Sequence, residues 1–230
     1  MKLRIHGDNI IECERALKLI ANAFNLVAVD KTENIFMPRY SLKNDDKEIY
    51  EIELLAGHDR WHVDFNSELI KYGAHLREKT DAYISKVSND QKTEELLIAM
   101  EFCNALPAGN NAWQRSGRAI TCAEIGIPYF YIAEIGGVEL DGERHVIAPR
   151  FPNPIVPFSY LAASKSLYVV CIPIYQAHPA ITPDLRNKFN SVFGLESCLD
   201  LLKCIIEGSD ITNSLKILTD KGAKLVSCHA

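Results

Sequence analysis

Two acids in this chain, Asp81 and Glu101, fall on segments that read as partners in one β-hairpin. Residues 80–87 and 95–103 carry strand-like patterns, and the polar stretch 88–94 between them reads as the turn. With the turn centred on Gln91, Val87 faces Glu95, Tyr83 faces Ala99 and Asp81 faces Glu101. Directly opposed residues in an antiparallel pair have Cβ atoms about 4.5–5.5 Å apart. Two carboxylates at that separation repel, so a hairpin selected for stability alone would avoid them. A divalent cation between them removes the penalty, and hydrolysis assisted by a metal ion is the chemistry such a pair serves.

The elements that must position the acids follow from patterning. Residues 2–6 suit a short strand, and Asn9 suits the N-cap of a helix, with Glu12 as its capping-box partner. Ile10, Cys13, Leu17, Ile20 and Phe24 then repeat at helical spacing. The charged stretch 43–48 reads as a solvated loop, 50–55 and 61–65 as strands, and Ser67 as the cap of a helix running to about Glu78. In 96–102, nearly all apolar, Leu97, Ala99, Glu101 and Cys103 share one face, and Leu96, Ile98, Met100 and Phe102 share the other. A helix over 111–124 ends at Gly126, and 127–135 reads as another buried strand. Residues 138–160 read as irregular because Pro149, Pro152, Pro154 and Pro157 oppose regular structure. A strand at 167–174 and helices within 183–207 and 211–222 complete the reading.

That order of elements, with an acid opening one hairpin strand and a second near the end of its partner, resembles the PD-(D/E)XK nuclease superfamily. Restriction endonucleases and many DNA-repair nucleases belong to it. Thr80-Asp81 stands where the family has Pro-Asp, and Glu101-Phe102-Cys103 where it has Glu-x-Lys. The resemblance covers roughly residues 12–136. It implies an α/β fold with a restriction-endonuclease-like core, a central mixed β-sheet flanked by helices. It also implies a Mg²⁺-dependent endonuclease of restriction-enzyme type acting on double-stranded DNA as a homodimer. Asp81 and Glu101 would be metal ligands and catalytic residues. The main-chain carbonyl of Cys103 would add a ligand, and Glu12 matches the acid that many members carry on their first helix.

The departure is Cys103, which cannot supply the positive charge of the family lysine. Lys79 would oppose it in the hairpin register. Gln114 and Arg115 lie on the following helix, with Arg118 four residues beyond Gln114 and hence on its face. The helix is the favoured source of the cation, and Asn110 and Asn111 at its start are candidate phosphate contacts. The alternative is a catalytically silent nuclease fold serving as a DNA-binding or structural subunit. The net charge of −5 favours that alternative, because DNA-binding surfaces are usually basic.

The chain's 230 residues, 47% hydrophobic and 24% charged, suit one globular domain. Its core would occupy roughly 9–136, with a C-terminal extension over 138–230, and the ending over 224–230 has no terminator character, as expected of a fragment of something longer. Seven cysteines, an odd number with no CxxC spacing, argue against a disulfide framework or a zinc cluster and for a reduced, cytoplasmic setting. No apolar run is long enough to span a membrane, and no signal-peptide pattern opens the chain.

Overall fold

The computed structural model describes residues 1–45, 47–75, 79–103, 110–140, 146–149, 155–167 and 169–228. Its strands are β1 (Lys2–Gly7), β2 (Val27–Asp30), β3 (Arg39–Asn44), β4 (Lys47–Ala56), β5 (Ala82–Val87), β6 (Glu94–Cys103), β7 (Tyr129–Ile135), β8 (Val138–Leu140), β9 (Val146–Pro149) and β10 (Cys171–Ala177). Its helices are α1 (Ile10–Phe24), α2 (Phe65–Lys71), α3 (Asn110–Glu124), α4 (Ile155–Leu167), α5 (Pro183–Phe189), α6 (Leu195–Glu207) and α7 (Thr212–Cys228). Eight strands form one mixed sheet in the order β10-β7-β6-β5-β1-β4-β3-β2, and β8 pairs with β9 separately. The protein is therefore α/β, with helices on both faces of the large sheet.

Strand direction decides where a site can form. β1 is parallel to β4 and antiparallel to β5; β5 is antiparallel to β6; β6, β7 and β10 run parallel. The carboxyl ends of β1, β4, β6, β7 and β10 thus line one rim of the sheet, and β5 starts there. Helix α1, following β1, buries Cys13, Ala16, Leu17 and Ile20 on one face with Ile98, Met100 and Phe102. Helix α3, linking β6 to β7, puts Ala119 and Cys122 on the other face with Ala99 and Cys103. The two crossovers leave the sheet on opposite faces on either side of β5. In open α/β sheets, that kind of switch leaves a crevice beyond the strand ends.

The hairpin register holds at Ala82, Tyr83 and Ile84, which face Met100, Ala99 and Ile98, and then shifts by one residue. Ser85 faces Leu96, Lys86 faces Glu95, and Val87 faces Glu94 rather than Glu95. The extra residue, Leu97, is a β-bulge. It reverses the expected faces below it: Leu97 packs with Ile98 and Met100, and Leu96 packs with Ala99 and Cys103.

Other expectations are corrected by local chemistry. Asp64, not Ser67, caps α2, accepting from the Ser67 N–H at 3.3 Å, and 61–65 is not a strand. Trp61 and Phe65 instead close edge-on around the buried His6 ring. The charged stretch 43–48 mostly belongs to the β3–β4 hairpin, turning at Asp45 with φ +50°. Region 138–160 holds β8, β9 and the start of α4, where Pro157 sits in the first helical turn and forfeits no helical bond. The strand expected at 167–174 lies at 171–177. Asn9 caps α1 as expected, accepting from the Glu12 N–H at 3.2 Å. Beyond residue 138, β10 extends the large sheet, and Cys198 and Leu201 of α6 join α1 in its core. Among the described residues no disulfide forms, and no helix is long and apolar enough to cross a membrane.

Candidate functional site

The two predicted acids stand together at the β5 switch. Asp81 immediately precedes β5, and its main-chain carbonyl accepts from the Asp8 N–H at 3.0 Å. Its Oδ2 accepts from the Phe102 N–H at 2.8 Å, which ties it to the end of β6. Glu101, fully buried, projects from β6 on the α3 face. Helix α3 then supplies two cations at helical spacing. Arg118 Nη1 lies 2.7 and 2.8 Å from the Glu101 oxygens and 3.3 Å from Asp81 Oδ1, so one nitrogen bridges both carboxylates. Arg115 Nε lies 2.9 Å from Glu101 Oε1, and the Arg115 side chain also reaches Cys103.

Electrostatics at this spot are finely balanced. Burial and the Asp81 charge push the Glu101 carboxyl up to about 7, against the downward pull of Arg118 and Arg115. Burial also raises Asp81, opposed by the Phe102 N–H and the two arginines. On the α1 side of the crevice, burial and the charges of Asp81 and Asp8 raise Glu12 to about 7. Two polar atoms here are buried without hydrogen-bond partners, Glu12 Oε2 and Arg118 Nε. Unmet buried polar atoms are costly; a cation would satisfy Glu12 Oε2 and an oxyanion would satisfy Arg118 Nε.

Other predicted residues are placed less centrally. Lys79 is exposed and lies beyond Ala82, where the β5–β6 ladder ends, so the ladder does not pair it with Cys103. Cys103 is the buried last residue of β6. Asn110, Asn111 and Gln114 lie in α3, but their side chains fall outside the described residues.

Sequence reasoning missed Arg15, Asp8, His58 and the Glu134–Gln176 pair. Arg15, one turn past Glu12 on α1, lays its guanidinium 4.4 Å from the Phe102 ring centroid and feels both Asp81 and Glu12. Its helical spacing from Glu12 was the available signal. Asp8 and His58, at the ends of β1 and β4, pair at 3.0 Å on the rim. Glu134 of β7 accepts from Gln176 of β10 at 3.2 Å, a contact that depends on the parallel pairing of distant segments.

A divalent ion is the group that the resemblance implies. Among the described residues, no three His, Cys, Asp or Glu side chains converge closely enough to hold one together. The oxygens of Asp81 and Glu101 are nonetheless the hard donors that Mg²⁺ prefers, and that ion is commonly held by one or two carboxylates with waters and substrate phosphate. The donor set fits on condition that Arg118 yields its bridging position. Comparison with protein-family models, with curated proteins and with solved structures finds no match to this chain.

Proposed function

We propose that this chain is a Mg²⁺-dependent endonuclease hydrolysing phosphodiester bonds in double-stranded DNA. The observation that carries the reading is the meeting of Asp81 and buried Glu101 at the β5 switch, with Arg118 bridging them through one nitrogen and holding another buried and unpaired. Asp81 and Glu101 would hold the ion, with the Cys103 carbonyl and Glu12 as further donors. Bound there, the ion would supply a water of lowered pKa and offset charge developing on the phosphate. The chain's own groups do the rest. Arg118, released from the carboxylates, turns its donors to a phosphate oxygen, and Arg115 keeps Glu101 oriented. They take the part of the lysine absent at 103, within a core of restriction-endonuclease type. Asn110, Asn111 and Gln114, at the start of α3, are further candidates for phosphate contact. A homodimer would cut both strands with one kind of subunit.

A second reading rests on the same contacts. Each oxygen of Asp81 and Glu101 already has a partner, so the cluster can stand as a closed ion-pair network in a catalytically silent nuclease fold that binds DNA or a partner. Incubation of duplex DNA with the protein and Mg²⁺ separates the two. Cleavage that disappears in Asp81→Ala and Glu101→Ala supports the enzyme. No cleavage of many DNA sequences by the unmodified protein overturns it, and equal cleavage by the variants overturns the site.

A further inference from the structure

Two cavities open at the ends of β6, β7 and β10, one against α1 and the start of α6 and the other against α5, α6 and α7; neither is lined by Asp81 or Glu101. The first, about 310 Å³, is lined by Arg15, Lys18, Phe102, Gln176 and Leu195 among others. The second, about 460 Å³, shares Gln176 and Leu195 and continues past Phe193 to Arg186 and Lys221. The shared walls make one channel. It begins at Phe102, whose N–H holds Asp81, and leads outward across the ends of β7 and β10.

The charge of this channel opposes that of the chain. Arg15, Lys18, Arg186 and Lys221 line it, against Glu134 and Glu196, in a protein of net charge −5. Glu134 is already engaged by Gln176 at 3.2 Å and lies 3.7 Å from His178 and 4.0 Å from Arg15. Half-buried Phe193 offers a ring in the wall, and Asn22, Asn190 and Ser197 offer neutral hydrogen-bonding groups. A basic groove with an aromatic surface is how proteins track a single nucleic-acid strand. Both volumes fall in the range of about 300–1,000 Å³ that holds a small organic ligand, which suits a nucleotide unit and not a duplex.

We propose that this channel receives a single DNA strand, making the preferred substrate DNA with a single-stranded tail beside the duplex at Asp81 and Glu101. The proposal rests on the nuclease reading. Its test measures fluorescence anisotropy of a labelled oligothymidylate with the full chain in EDTA, so binding is read without cleavage. The triple variant Lys18→Glu, Arg186→Glu, Lys221→Glu is expected to bind about tenfold more weakly and to lower the slope of log affinity against log salt by about 2, for three lost phosphate contacts. It should still cut blunt duplex. Lys18 and Arg186 are exposed, and single Lys18→Gln and Arg186→Gln variants carry the test if the triple fails to fold. Unchanged affinity and salt slope, no oligothymidylate binding by the unmodified chain, or tighter binding of the equivalent RNA would each overturn the channel as a DNA-strand site. Charge-dependent strand binding without cleavage of any DNA would overturn the nuclease reading and support the channel on its own.

Discussion

Replacing Glu101 by Gln asks which force governs the centre of the site, burial or the two arginines. Burial and Asp81 raise the Glu101 carboxyl from 4.5 to about 7. The folded protein then holds this proton more tightly than the unfolded chain does. Its stabilising contribution is full below the unfolded value and is lost as pH rises through about 7. At about 1.4 kcal/mol per pH unit, a rise from 4.5 to about 7 corresponds to roughly 3 kcal/mol of stability lost between pH 4.5 and pH 8. Glutamine keeps the shape and cannot ionise, so the variant lacks this loss. Glu12 titrates in the same window but is present in both proteins, so it largely cancels in their difference. Urea unfolding of both proteins at pH 5 and pH 8, without divalent ions, should show Glu101→Gln gaining about 2–3 kcal/mol on the parent over that interval. A relative loss for the variant at pH 8 would refute the reasoning. It would mean that Arg118 and Arg115 outweigh burial and that Glu101 is an ordinary ion-paired carboxylate.

Arg118→Met leaves Asp81 and Glu101 without their bridging nitrogen; urea unfolding should show a loss of about 3–5 kcal/mol at pH 8, smaller at pH 5 where Glu101 carries its proton. Glu94→Ala should cost less, about 2–3 kcal/mol, because Arg4 loses its 2.6 Å contact but keeps Glu53 at 2.8 Å, and buried His6 loses its 2.8 Å contact but keeps Ser85. Burial opposes ionisation of Glu94, but His6, Ser85 and Arg4 pull its carboxyl down to about 2. Its contribution is therefore full above the ordinary carboxylate range and is lost as pH falls towards about 2, and acid titration of the variant by circular dichroism should lack that limb. Gly136→Ala, at φ +83° with a new Cβ only 2.4 Å from Ile181 Cγ1, should cost about 1–3 kcal/mol in thermal unfolding. In an Ile181→Ala background, which lacks both Cγ1 and Cδ1, the same substitution should cost less.

The carboxylate pair was legible because a hairpin is local: Tyr83 opposite Ala99 is set by a short turn, and Asp81 follows from it. The bulge at Leu97 was not, because Leu96 and Leu97 are both apolar and either can serve either face, so hydropathy does not distinguish the two registers. Trp61–Phe65 alternates like a strand, yet Asp64 meets the orphan N–H of a helix start and its neighbours gain aromatic contacts with His6. Pro157 reads as a breaker until it is known to fall in a first helical turn, where its missing N–H has no bond to lose. The α1 side of the site lay beyond local reading altogether. Glu12 and Arg15 face Asp81 only because β1 lies beside β5, a pairing across some 80 residues of chain that no local pattern encodes. The missing cation belongs to the same class of problem. A strand motif asks for a positive charge two residues after Glu101, whereas here the phase of the following helix delivers it, through Arg115 and Arg118, to the same carboxylate. The nuclease reading needs only a charge beside Glu101, and any element that ends at the β5 switch can bring it there.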